Sequence, residues 1–273
     1  MDSYACSFPG MITAWRAAWS AAPSPGGLGF PFLFVQLSPY FDQAPPACLA
    51  EGGPGLPAYA GTLPRARLRQ TAALALPNVG MASAVDLADH ASPFWPGSVH
   101  PRWKQPLGWR LSLEARRIAY GEAALLSRGP QLAAVTGFPA CALDYGCGSY
   151  HQKDAVVLRL RFTGAGDGLS VATFAATQLT STWQNATASP PVTCRVPCSI
   201  VPTGVGADTL DLYCTSEQFC VGVYLEGALD ALFYDLPVVA VFNSAGLPME
   251  PWSVNVSAAA SWPLPPGGKQ LWP

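Results

Sequence analysis

The chain has 273 residues, half of them hydrophobic and 12% charged, with a formal net charge of −2. This length suits one large domain or two ordinary ones with real cores. The small net charge gives no electrostatic reason to expect nucleic acid, and the absence of any run of about 18 apolar residues predicts no membrane span. No motif for a metal or an organic cofactor occurs, and none is expected.

The first third of the chain alternates helical and strand patterns, which is typical of an α/β sheet. A helix is predicted to start at Ser7, and its apolar residues form one stripe: Phe8, Ile12, Trp15 and Trp19. The apolar run from Phe30 to Leu37 predicts a strand buried on both faces of a parallel sheet. Residues 39–64 are rich in proline, glycine and alanine and predict a long surface excursion.

A second helix is predicted over residues 65–75 and a second buried strand over residues 81–87. Arg65, Arg67 and Arg69 are interpreted as a solvated face of that helix. A loop then leads into a third helix, predicted from Lys104 to Tyr120 and ended by Gly121. Two strands are too few for an independent sheet of ordinary size, so this part predicts half of a sheet that needs a partner.

The pattern changes after residue 122. Leu158, Leu160 and Phe162 alternate with arginines, which is the period of a half-buried strand. Further strands are predicted over residues 170–174, 210–213, 220–225 and 238–242. The sequence therefore predicts an α/β domain over residues 1–122, a β-rich domain over 123–258, and a Pro/Gly-rich tail over 259–273.

Cysteine spacing bears on the cellular compartment. Six of the eight cysteines form local pairs with three or five residues between them: Cys141 and Cys147, Cys194 and Cys198, Cys214 and Cys220. This pattern favours disulfides over free buried thiols, and the spacing is wide for zinc. Weak glycosylation sequons at Asn185 and Asn255 favour the same oxidising compartment. Because the first residues form no signal peptide, we expect the natural N-terminus to be missing.

His100 is the most informative residue for chemistry, because it lies in the loop between a predicted parallel strand and an amphipathic helix. A general base of a hydrolytic α/β enzyme can occupy such a position at the carboxyl edge of the sheet. The alternative for a lone histidine is a cap of the following helix. Asp86 and Asp89 are the nearby carboxylates, and Asp89 is the better placed to orient the imidazole. Otherwise His100 would act in a dyad or be oriented by a backbone carbonyl.

Seven motifs, in one order, resemble sialate O-acetylesterases. They are Phe8–Arg16, Phe30–Leu37, Arg67 with Gln70, Pro77–Met81, Asp86–Asp89 with Ser92–Phe94, Gly97–Arg102 with Lys104–Gln105 and Ala119–Glu122, and Phe242–Pro248 with Pro251–Trp252. The resemblance is strong over residues 4–122 and recurs near 238–252. It implies the C-terminal half of an SGNH-hydrolase-like three-layer α/β/α domain, followed by a β-sandwich-like domain. It also implies a secreted, lysosomal or endomembrane-lumen parent that hydrolyses O-acetyl esters of sialic acids or related sugars.

By this resemblance His100 is the general base. SGNH enzymes commonly place the orienting aspartate three residues before the histidine, but Gly97 stands there, so Asp89 is the candidate by its position in the loop and not by the resemblance. The family's serine nucleophile lies in a Gly-Gln-Ser-Asn-type turn, and nothing in the chain resembles that turn. The chain alone is therefore expected to be inactive or nearly so, and a missing N-terminal half is a possible partner. The alternative is a catalytically inactive remnant that binds carbohydrate or another molecule.

Overall fold

The computed structural model describes residues 3–20, 29–39, 48–50, 62–89, 91–94, 99–139, 156–171, 179–185, 192–200, 205–214, 223–226 and 241–256. The described residues combine helices with parallel and antiparallel strands, so the predicted mixture of helix and sheet is confirmed. None of the described helices is long and apolar enough to cross a membrane. The predicted tail lies outside the described residues.

Two parallel strands lie at the centre of the first part of the chain. Its elements are α1 (Tyr4–Ser20), β1 (Phe32–Gln36), α2 (Thr62–Gln70) continued by a 3₁₀ helix (Thr71–Ala75), β3 (Val79–Ser83) and α3 (Gln105–Ala119). Strands β1 and β3 pair in parallel, with Phe32 opposite Val79 and Gln36 opposite Ser83. Strand β1 is shorter than the predicted run of residues 30–37. Strand β3 begins two residues earlier than predicted and ends at Ser83 instead of residue 87, because the chain turns there.

Helices cover both faces of this pair. On one face the Phe8 ring of α1 meets the Phe34 ring edge-on at 5.0 Å, beside the fully buried Ile12. On the other face α3 lies so close that a Cβ at Gly80 would come within 2.5 Å of Glu114 Oε2. Gly80 therefore permits α3 to approach the sheet, and a larger residue there would push the helix away.

The predicted apolar stripe of α1 is only partly buried. Trp15 and Trp19 are 45% and 56% exposed, whereas Arg16 is buried. The Arg16 guanidinium donates to the carbonyl of Phe30 at 2.7 Å and lies over the Phe30 ring. Arg16 thus takes an inward position, where its guanidinium pairs a backbone carbonyl.

Side chains of α2 complete the outer edge of β1. Successive residues of a parallel strand direct their backbone groups alternately to the two sides, so Val35 and Leu37 face away from β3. The Gln70 amide accepts from Leu37 N at 3.1 Å and donates to Val35 O at 3.1 Å. Arg67 Nε donates to Leu37 O at 2.6 Å. These bonds occupy groups that another strand would otherwise pair.

Helix α3 completes the opposite edge, along β3. Glu114 Oε2 accepts the Met81 N–H at 3.2 Å, and Arg110 donates to the Ser83 carbonyl at 2.7 Å. Arg117 and Ser127 hold the Glu114 carboxylate in place. The buried residues of α3 are Arg110, Leu113 and Glu114, so two charged side chains lie on its inner face.

The strands that follow α3 are antiparallel. They are β4 (Gln131–Pro139), β5 (Val156–Thr163), β6 (Ser170–Val171), β7 (Leu179–Asn185), β8 (Val192–Ile200), β9 (Thr209–Cys214), β10 (Val223–Glu226), β11 (Val241–Phe242) and β12 (Ser253–Val256). One further strand, β2 (Cys48–Ala50), comes from the segment between β1 and α2 that the sequence predicts as a surface excursion. They form a sheet in the order β12-β10-β7-β8-β9-β5-β4, with β2 on β8 and a separate β6–β11 pair. The alternation predicted for β5 is found, since Leu158 and Leu160 are buried and Arg161 is exposed. A β-sandwich with a second packed layer stays a prediction.

A buried polar cluster joins distant segments of this β-rich part. Arg128 Nε donates to Glu250 at 2.6 Å, and the Asn243 amide donates to the carbonyls of Arg128 and Gly164. Burial raises the pKa of Glu250, an effect that the Arg128 charge opposes. The cluster fixes residues 128–130 against residues 243–250.

Replacing Gln70 by alanine tests the edge-completion role. The variant should lose about 2 kcal/mol of unfolding free energy, because it leaves a carbonyl and an N–H of β1 unpaired in a partly buried setting. Urea unfolding followed by circular dichroism measures this. The matched control is Gln105→Ala at an exposed glutamine, which should change the free energy by less than about 0.5 kcal/mol. Equal losses in the two variants would contradict the role.

Candidate functional site

The loop that carries His100 follows β3 in the chain and is attached to the carboxyl end of β1. Ser38, two residues beyond β1, donates its hydroxyl to the Val99 carbonyl at 2.6 Å. Ser92 donates to the carbonyl of His100 itself at 2.7 Å. The His100 residue is exposed, and no hydrogen bond of its imidazole occurs within the described part of the chain. His100 therefore has a fixed backbone and an accessible side chain at the sheet edge where parallel folds bind ligands.

Arg67 supports this attachment from within. It is fully buried, not on a solvated helix face as predicted, and burial lowers its pKa to about 9. Its guanidinium donates to the carbonyls of Leu37 and Ser38, the latter at 2.8 Å. The same residue that completes the edge of β1 thus fixes Ser38, which in turn holds Val99. The physical reason for its burial is the pair of carbonyls at the end of β1, which require a donor.

Asp89 is engaged by Arg102. Its carboxylate accepts from Arg102 Nε at 2.6 Å, from the second guanidinium nitrogen at 3.0 Å and from the Arg102 backbone N–H at 3.1 Å. These bonds from Arg102 lower the pKa of Asp89 to about 2, so its carboxylate is ionised at neutral pH. Among the described residues no hydrogen bond joins Asp89 to His100. Its role as the orienting carboxylate stays a prediction.

Asp86 forms a second ion pair, with Arg110 of α3. The guanidinium makes two parallel bonds to the carboxylate, at 2.6 and 2.7 Å, and the same arginine donates to the Ser83 carbonyl. Both side chains are largely buried. Asp86 therefore anchors α3 to the end of β3, and its oxygens are committed to that contact.

A cleft is formed by residues that precede and follow His100 in the sequence. It has a volume of about 790 Å³, and its described lining consists of Asp86, Leu87, Ala88, Asp89, Ala91, Pro101, Arg102 and Trp103. His100 is not one of these lining residues. Sequence reasoning missed Trp103, which is 77% exposed; the available signal was an aromatic residue directly after the histidine motif. His90, Gly97 and Ser98 lie outside the described residues.

The described part of the chain contains no group of three or more His, Cys, Asp or Glu side chains that could hold a metal ion. Asn185 ends β7 and Asn255 lies in β12, and their glycosylation stays a prediction. In the sheet register the backbone of Cys48 is opposite that of Cys194, and the disulfides of the local pairs stay a prediction.

Comparison with known proteins finds two kinds of similarity. The chain is 40% identical over 137 residues to the sialate O-acetylesterase of Rattus norvegicus and 39% identical over 140 residues to that of Homo sapiens. Its fold is similar to that of a carbohydrate acetylesterase from Xanthomonas citri, with a TM-score of 0.61 over 92% of this chain at 22% identity. The resemblance to sialate O-acetylesterases is confirmed. No family model matches the chain.

The similarity is partial in extent. The aligned stretch covers 47% of this chain but 22% of the rat protein and 23% of the human protein. The fold match covers 46% of the Xanthomonas citri protein. The chain thus spans about a fifth of the length of the curated relatives and about half of the structural one, and at 22% identity the structural likeness concerns the fold alone.

Replacing Ser38 by alanine tests how the histidine loop is held. Loss of the bond to the Val99 carbonyl should speed amide hydrogen exchange at Val99, His100 and Arg102 by about five-fold, since one net hydrogen bond contributes on the order of 1 kcal/mol. Exchange read by nuclear magnetic resonance measures this. Ser112→Ala is the matched control, because that exposed serine bonds only within α3. The interpretation fails if both variants exchange alike at these amides.

Proposed function

We propose that this chain carries the histidine-bearing part of a carbohydrate O-acetylesterase site, with His100 as the general base. The observation that carries the proposal is the attachment of the His100 loop to the carboxyl end of β1 through the bond from Ser38 to the Val99 carbonyl. The partial similarity to sialate O-acetylesterases supports the same chemistry. The substrates would be O-acetyl esters of sialic acids or related sugars.

In the proposed reaction, His100 removes the proton from a serine hydroxyl as the oxygen attacks the acetyl carbonyl. The tetrahedral intermediate collapses when His100 returns the proton to the departing sugar oxygen, which leaves an acetylated serine and a free sugar hydroxyl. A water molecule then attacks the acetyl group with His100 again as base, and acetate is released. The exposed position of His100 suits this role, since the imidazole must reach both groups.

The serine is proposed to come from sequence outside these 273 residues. No Gly-Gln-Ser-Asn-type turn and no G-x-S-x-G elbow occurs in the chain. Loss of a nucleophile removes most of the rate enhancement of an esterase. The isolated chain is therefore proposed to be inactive or nearly so, with a segment corresponding to an N-terminal half as its partner.

Asp89 is proposed as the orienting carboxylate, and this role requires a change in its hydrogen bonds. One of its oxygens would have to exchange a bond with Arg102 for one with His100, because Arg102 and Ala91 occupy the carboxylate in this structure. Where that exchange does not occur, His100 acts in a dyad or is oriented by a backbone carbonyl. A secreted or lysosomal parent with disulfides and glycans at Asn185 and Asn255 belongs to the same proposal.

A second candidate function is non-catalytic carbohydrate binding. Exposure of Trp103 at the cleft favours it, because an accessible indole suits a ligand with both apolar and polar faces. This candidate needs no nucleophile. It differs from the first in that binding would occur without release of acetate.

A fusion tests the catalytic proposal. The residues of the rat sialate O-acetylesterase that precede its stretch similar to this chain are joined ahead of this chain, and acetate release from 4-nitrophenyl acetate is measured. The fusion should be active, and His100→Ala should lower kcat/KM by about 10³-fold or more, since the base and nucleophile act as a unit.

The matched control is His151→Ala in the same fusion, which should retain the activity. Circular dichroism establishes that each variant is folded. The base assignment is wrong if a folded His100→Ala fusion keeps its kcat/KM within about ten-fold of the parent fusion.

A further inference from the structure

We propose that the cleft formed by residues 86–89, 91 and 101–103 is a subsite for an uncharged sugar ring, with the Trp103 indole as its stacking surface. This inference rests on the proposed carbohydrate esterase function and narrows its substrate class. It concerns recognition of the sugar and not the chemistry at the acetyl group.

Trp103 provides the apolar wall. Its residue is 77% exposed although it lies at the cleft, between the buried Pro101 and the start of α3. A water-exposed indole leaves a large apolar surface unburied, and covering it contributes free energy to binding. A pyranose ring offers a face of C–H groups that can cover an indole while its hydroxyls stay at the ring edge. Trp103 therefore matches a sugar better than a wholly polar ligand.

The Asp89–Arg102 pair provides the polar wall. The two side chains hold each other by two bonds, at 2.6 and 3.0 Å, and the Arg102 backbone N–H adds a third contact to Asp89. Sugar hydroxyls both donate and accept, so neighbouring hydroxyls can bond to the carboxylate and to the guanidinium together. Because the pair is already ordered, a ligand loses little affinity to immobilising it.

The charges of the cleft favour a neutral ligand. The charged residues of its described lining are Asp86, Asp89 and Arg102, and the arginine is neutralised by Asp89. The guanidinium behind the cleft, that of Arg110, is likewise neutralised by Asp86. Asp89 already neutralises the Arg102 guanidinium, so a ligand carboxylate would gain little attraction there and would face both aspartates. An uncharged sugar meets no such cost, so it should bind in preference to a sialic acid.

The size of the cleft agrees with this ligand. Its volume of about 790 Å³ lies within the roughly 300–1,000 Å³ of small-molecule sites. Pro101, which lines the cleft, follows the proposed base His100 directly in the chain.

Binding of single-ring glycosides to the full chain tests the subsite. The neutral probes are the methyl β-glycosides of galactose, glucose and xylose, and the anionic probe is the methyl α-glycoside of N-acetylneuraminic acid. The indole N–H signals are followed by nuclear magnetic resonance, and the Trp103 signal is assigned from its absence in Trp103→Ala. We expect at least one neutral glycoside to move the Trp103 signal and to bind about ten-fold more tightly than the anionic probe.

Two variants distinguish binding at the subsite from nonspecific binding to an exposed indole. Trp103→Ala should weaken binding of the neutral glycoside by about ten-fold or more, a size typical of losing one stacked ring. Trp109→Ala should leave it unchanged, because that exposed indole lies on α3 and does not line the cleft. Both residues are exposed, so neither substitution removes a core contact.

The inference is overturned if no neutral glycoside moves the Trp103 signal, if Trp103→Ala binds like the parent chain, or if the anionic probe binds as tightly as the neutral ones. These outcomes are independent of acetate release. Binding through Trp103 together with an inactive fusion would reject the esterase proposal and keep the subsite. An active fusion whose sugar binding is unchanged by Trp103→Ala would keep the esterase proposal and reject the subsite.

Discussion

Four side chains from two helices supply the hydrogen bonds that a third and a fourth strand would make to the parallel pair β1 and β3. Arg67 and Gln70 bind the outer edge of β1, and Arg110 and Glu114 bind the outer edge of β3. Unpaired backbone groups in a covered sheet are costly, so these contacts set where α2 and α3 lie. Burial of the two arginines follows from the same requirement and not from any apolar character of their positions.

The arrangement of the candidate site depends on these edge contacts. Arg67 fixes Ser38, which holds the loop of His100, while Arg110 links the end of β3 to Asp86 at the cleft. Each arginine thus has one contact in the sheet and one toward the site. Any change in the packing of α2 or α3 is therefore expected to reach the histidine loop and the cleft wall. The scaffold and the site share the same polar side chains.

Local sequence patterns were sufficient for part of this description. The apolar runs that became β1 and β3 predicted two buried strands, and the position of His100 between strand and helix predicted its place beyond the sheet edge. Periodicity gave wrong predictions where a polar residue is buried or an apolar residue is exposed. It placed Trp15 and Trp19 on one apolar stripe with the buried Ile12, whereas both indoles are exposed. It also placed Arg67 on a solvated face, whereas the carbonyls at the carboxyl end of β1 require a buried donor. The Asp86–Arg110 pair spans residues 24 apart in the chain and follows only from the packing of α3 on β3. Trp103 was overlooked because an exposed aromatic has no periodic signal.

Under the proposed function, this chain holds the base of an esterase site and the nucleophile comes from outside it. The decisive measurement is acetate release from 4-nitrophenyl acetate by the purified 273-residue chain, beside its His100→Ala variant. Both are expected to release acetate at the rate of buffer alone, with matching circular dichroism spectra. Release by the parent chain well above that rate, lost in His100→Ala, would show that a nucleophile lies within these residues and that the proposal is wrong.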